Sequence, residues 1–197
     1  MARVKYLDSE DMKTPEAQAA WQRLETERPK PIGAVFRLTA HSPALLGASL
    51  TYGQALRADT VIEDKLRELA ILTVAHATGV EYAIAHHSGP AVLHGATEEQ
   101  IGHVLDFETS DAFDERERAV MRLAYESTVN VRVSQETWNA AAAFLDEREL
   151  VELVFNIAYY NNGARIMAAL DVELEEPYKV DPVGQFLKDI KGRTVKS

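Results

Sequence analysis

Apolar and polar positions along this chain recur every three to four residues, and no stretch keeps the every-other-residue pattern of a strand for a useful length. The pattern predicts an all-α protein of roughly eight helices. The first runs from Pro15 to Arg28 (PEAQAAWQRLETER) and is ended by Pro29 and Pro31. Ser42 followed by Pro43 reads as an N-cap with proline at the first helical position, opening a helix to about Leu56. Thr60 to Glu63 has the spacing of a capping box and predicts a helix to Thr78, stopped at Gly79. From Leu69 to Ala75 that helix is apolar all round, so it belongs in the middle of the protein. A second helix, Val80 to about His94, follows almost at once. It is expected to be interrupted or kinked at Ser88-Gly89-Pro90, because Pro90 has no amide hydrogen.

Further capping boxes at Thr97 to Gln100, Asp114 to Glu117 and Asp146 to Glu149 predict helices to about Asp106, Ser127 and Leu170, and Ser134 predicts one to about Leu145. The chain after Asp171 contains Pro177 and Pro182 and is polar, which predicts a tail that wraps over a neighbour or stays loose. No flexible linker divides the sequence, so residues 1–197 read as a single domain.

Composition narrows the chemistry. There is no cysteine, which excludes disulfides, zinc thiolate sites, iron–sulfur clusters and thiol nucleophiles. Lys and Arg number 21 against 31 Asp and Glu, a formal net charge of -10, which disfavours nucleic acid and anionic membranes as partners. No apolar run approaches the ~20 residues of a membrane span, and Met1 to Glu16 is too polar for a signal peptide. A cytoplasmic protein is expected. No phosphate-binding loop, dinucleotide fingerprint or G-x-S-x-G elbow occurs.

Titratable side chains concentrate between Glu68 and His94. On the second helix of the pair, Val80, Ala83, Ile84, His87, Ala91 and His94 fall on one stripe, which turns His87 inward. Glu68 stands 11 residues before Gly79 and His87 stands 8 after it. At ~1.5 Å per residue both lie on the order of 12–16 Å from the turn, and in an antiparallel pair they can meet. A carboxylate that orients a histidine in a half-buried groove is an acid–base arrangement. The competing reading makes Glu68 a surface ion pair with Lys65 or Arg67, and His87 a core residue held by a hydrogen bond. Tyr82 and His86, four apart on the adjoining face, can touch each other. His76 and His103 read as surface histidines. Glu68, His87 and His94 could together hold a metal, but their spacing matches no recognised metal motif, so no metal site is assigned.

The same stretch, R-E-L-x-I-L-x-V-A-x-x-T-G-x-E-Y-x-x-x-H-H, followed by T-E-E-Q-I, resembles the carboxymuconolactone decarboxylase / AhpD-like family. The resemblance extends from about Phe36 to Glu176, through HSPALL, DERERAV and ELVFNIAYY. It implies an AhpD-like helical bundle with Glu68 and His87 as the catalytic pair. In the family's peroxidase branch two cysteines complete the site, and here their positions hold Val80 and Ala83. No side chain in this sequence replaces a peroxidatic thiol, so thiol peroxidase activity is excluded. The decarboxylase branch needs no thiol, metal or organic cofactor. The resemblance therefore implies a cofactor-free lyase, or an isomerase, acting on a small organic acid or lactone, with Tyr82, His86 and Arg165 (or Arg57) holding the substrate. A hydrolase or metal-assisted enzyme on the same scaffold, and a non-catalytic ligand-binding protein, are the alternatives. A homo-oligomer (dimer, trimer or hexamer) is expected, with the apolar helix Leu150 to Leu170 as a candidate interface.

Overall fold

The computed structural model describes residues 2–28 and 31–194, so the stop expected at Pro29 lies outside the described residues. Among them are eleven helices and no strand. They are α1 (Pro15–Glu27), α2 (Ala34–Thr39), α3 (Pro43–Ala58), α4 (Asp64–Thr78), α5 (Glu81–Leu93), α6 (Glu98–Gly102), α7 (Glu115–Asn130), α8 (Gln135–Ala142), α9 (Glu147–Leu170), α10 (Glu176–Val180) and α11 (Pro182–Thr194). The all-α expectation holds, and α2, α10 and α11 are additions to the eight helices read from the sequence.

The uniformly apolar α4 is the axis of the molecule. Every residue from Leu66 to Ala75 is buried. One face (Leu66, Ala70, Val74) packs on Val120 and Leu123 of α7 and on Leu153 and Ile157 of α9. Another (Leu69, Leu72) meets Ala91 of α5, Met121 of α7, Phe107 and Phe113. A helix with apolar residues on all sides is stable only when neighbours enclose it, and α5, α7 and α9 do so. Each of its fully buried leucines contributes roughly 1.5–3 kcal/mol. A separate cluster, Trp21 and Leu24 against Leu46 and Leu50, seats α1 on α3. A further one, Val80, Tyr82 and Ala83 with Ala164 and Met167, ties α5 to α9.

Local signals set most helix ends. Gly79 adopts φ 67°, and the Val80 amide returns to the Ala75 carbonyl at 3.0 Å, closing α4 and turning the chain directly into α5. The capping boxes at Thr97, Asp114 and Asp146 are all formed, and Ser134 caps α8.

Three expectations need correction. Thr60 does not open α4, which begins at Asp64. The Thr60 hydroxyl instead bonds back to the Leu56 carbonyl at 2.9 Å, and the Val61 and Ile62 amides donate to the Glu152 carboxylate of α9 at 2.6 and 3.1 Å. The segment 88–90 does not interrupt α5, which stays helical through Pro90 to Leu93. Finally, of the two expectations for the tail the loose one does not hold, since Glu176–Val180 and Pro182–Thr194 are helical. Pro177 and Pro182 sit at the starts of α10 and α11, where the missing amide costs nothing, and α11 lies along α5. Gly89 permits that approach, since a Cβ there would fall 2.4 Å from Cβ of Phe186.

Candidate active site

The α4–α5 hairpin brings Glu68 and His87 together. The Glu68 carboxylate accepts from Nδ1 of His87 at 2.9 Å. Glu68 is 4% exposed, so it is not the surface ion pair that its neighbours in sequence allow. Lys65 pairs with Glu117 at 2.6 Å instead, and Arg67 reaches the other Glu68 oxygen at 3.7 Å while also pairing with Asp64. The His87 side chain keeps 20% of its surface, and Nε2 has no hydrogen-bond partner among the described residues. With Nδ1–H committed to the carboxylate, Nε2 carries the free lone pair.

Tyr160 of α9 meets the His87 ring edge-on at 4.8 Å between centroids. Its hydroxyl makes no hydrogen bond among the described residues, yet it is not sealed from solvent. Burial, assisted by the Glu68 and Tyr159 charges and opposed by Arg57 and Arg28, pushes this phenol well above its usual range. It therefore stays neutral and able to donate.

Beyond Tyr160 the surroundings turn cationic. The Tyr159 and Tyr160 rings are 5.4 Å apart, and Tyr159 lies 4.9 Å from Tyr52. At Gly53 of α3, the position a Cβ would take is 2.9 Å from the Tyr159 hydroxyl and 3.1 Å from guanidinium nitrogens of both Arg28 and Arg57. Arg28 was not picked out from the sequence. It stands at the end of α1 with no motif around it, and the seating of α1 on α3 brings it here.

Tyr82 and His86 fall on the adjoining face of α5, and they do stack, with centroids 4.3 Å apart. Both are engaged by Glu175, a residue the sequence reading missed. Its carboxylate accepts from the Tyr82 hydroxyl at 3.1 Å, from the Ala34 amide at 2.8 Å and from Nε2 of His86 at 2.8 Å. Tyr178 of α10 covers the other face of the His86 ring at 4.1 Å. Burial, then the Glu175 charge, pushes the Tyr82 phenol far up.

Arg165 is exposed and donates to the carbonyl and side-chain oxygens of Asn161 at 3.0 and 2.8 Å, on its own helix. His94 pairs with Asp64 at 3.3 Å, and no group of three metal-binding side chains occurs among the described residues, so Glu68, His87 and His94 do not assemble. His76, expected at the surface, is half-buried, and burial lowers its pKa. No helix among the described residues is long and apolar enough to cross a membrane.

This bundle is an AhpD-like fold. It is similar to the AhpD core of an uncharacterized peroxidase-related protein from Ralstonia eutropha JMP134, with a TM-score of 0.78 and 15% identity, over 92% of this chain and 96% of that one. It is also similar to the debrominase Bmp8, in a cysteine-to-alanine variant bound to 2,3,4-tribromopyrrole, with a TM-score of 0.77 and 20% identity over 91% and 97% of the two chains. A peroxidase-related protein from Silicibacter sp. TM1040 matches at a TM-score of 0.75 and 13% identity, over 90% and 93%. No curated protein matches the chain. Residues 43–126, which carry both Glu68 and His87, match the Carboxymuconolactone decarboxylase family. The resemblance seen in the sequence holds over those residues, and the chain carries no cysteine.

Proposed function

We propose that the site around His87 is the active site of a lyase that moves a proton at carbon in a small organic acid or lactone, with loss of CO₂ or with isomerisation. The observation that carries this reading is the oriented imidazole: Nδ1 of His87 held by a buried Glu68, and Nε2 open. In a decarboxylation the bond to the carboxyl carbon breaks and its electron pair moves into the adjoining carbonyl or conjugated system. Nε2 of His87 first takes a proton from solvent, Glu68 stabilises the imidazolium so formed, and the enolate left by CO₂ loss then takes that proton at carbon. The neutral Tyr160 hydroxyl is suited to donate to the developing enolate oxygen. The absence of any cysteine removes the thiol chemistry of a peroxidase from consideration.

The test is CO₂ release and loss of γ-carboxymuconolactone by the wild type, Glu68→Gln and His87→Ala, run in D₂O to follow deuterium into the product carbon. A positioned acid–base group accounts for about 10²–10⁴-fold in rate. Turnover is expected to fall by that order in His87→Ala and by a smaller factor in Glu68→Gln, with circular dichroism unchanged. Wild-type rates in both variants would remove the acid–base reading. An inactive wild type would remove the lactone as substrate.

A further inference from the structure

We propose that Arg28 and Arg57 form the carboxylate-binding end of this site, so that its ligand is a small organic acid anion whose flat, unsaturated body spans Tyr159 and Tyr160 to reach His87. The inference rests on the acid–base reading only for what happens at the far end.

Three observations carry it. The first is convergence. Guanidinium nitrogens from the end of α1 and from α3 approach one point at Gly53, 3.1 Å each from where a Cβ would stand, with the Tyr159 hydroxyl at 2.9 Å. The second is the missing countercharge. Six other arginines (Arg23, Arg37, Arg67, Arg116, Arg122 and Arg148) pair with carboxylates, Arg118 and Arg165 donate to backbone carbonyls, and the unpaired Arg3 and Arg132 are exposed. In a chain with ten more acidic than basic side chains, Arg28 and Arg57 pair with none among the described residues. Arg57 donates only to the Gln54 side chain, at 3.2 Å, and Nε of Arg28 is buried without a partner. Two cations held side by side, one with an idle buried donor, are poised for an anion that accepts from both. Burial, and then the Arg57 charge, already lowers the Arg28 guanidinium to about 10. The third is continuity. Ring contacts run without a gap from Tyr159 to Tyr160 at 5.4 Å and from Tyr160 to His87 at 4.8 Å, so an aromatic bridge joins the cationic end to the open imidazole.

The experiment is calorimetric titration of the full chain with benzoate, with benzamide (the same shape without charge) and with inorganic phosphate. Benzoate is expected to bind at one site per chain, and benzamide at least tenfold more weakly. Arg28→Gln and Arg57→Gln should each weaken benzoate by about tenfold or more, the scale of a lost charge-assisted hydrogen bond. Arg28→Lys and Arg57→Lys should recover part of the loss, which a folding defect would not. Arg165→Gln should bind as the wild type does. The proposal is overturned if benzoate does not bind, if benzamide binds as well, if the double Gln variant keeps wild-type affinity, or if phosphate is preferred. Binding that depends on both arginines while His87→Ala keeps full turnover would sink the acid–base reading and leave this one standing.

Discussion

Two neighbouring histidines, each held by a glutamate, have opposite fates. Glu175 takes Nε2 of His86, and the ring is closed between Tyr82 and Tyr178. Glu68 takes Nδ1 of His87 and leaves Nε2 open. His86 therefore reads as part of the packing of α10 on α5, whereas His87 can exchange a proton. Burial alone would raise the Glu175 carboxyl, but the hydrogen bonds from His86 and the Ala34 amide and the His86 charge outweigh it and hold it below its usual value. A depressed carboxyl stabilises the fold above its unfolded-state pKa, and that stability is lost as pH falls through the folded value. Glu175→Gln is thus expected to cost about 1–2 kcal/mol at pH 7. In thermal melts the deficit should shrink as pH drops below the ordinary carboxylate value of 4.5, and a deficit constant with pH would show that the charge is idle. Glu68 and His87 were legible beforehand because one helical hairpin sets their heights. Glu175 lies 89 residues from His86 and Arg28 lies 29 from Arg57, and no local rule connects either pair.

At the level of helices, legibility follows where the capping partner comes from. The boxes at Thr97, Asp114 and Asp146 close within four residues and were read correctly. The start of α4 was misplaced because its preceding amides are capped by Glu152, some 90 residues away. The polarity of the C-terminal stretch concealed α11, whose docking depends on the missing side chain at Gly89. Gly89→Ala pushes a Cβ into Phe186 and is expected to cost roughly 1–3 kcal/mol, the usual range for overpacking. Hydrogen exchange should then quicken along 182–191 while α4 keeps its protection. Unchanged exchange in α11 would mean that the helix docks without this contact.

For the molecule as a whole, α4 is both the centre of the core and the carrier of Glu68. Helices enclose it on several sides, so its amides have no local route to solvent. The amides of Leu69 to Ala75 are expected to exchange with the free energy of global unfolding, and distinctly faster exchange there would contradict the hub role. The Gly79 turn has a consequence for how the chain divides its labour. Glu68 and His87 are 19 residues apart and meet across a single tight reversal, so their contact closes a short loop that can form early in folding. The two arginines arrive on α1 and α3, from upstream of that hairpin. If both proposals hold, the anion-holding arginines and the proton-handling pair lie in separate, consecutive stretches of chain, and exchanging the upstream stretch is a route to a ligand of different charge that leaves Glu68 and His87 in place.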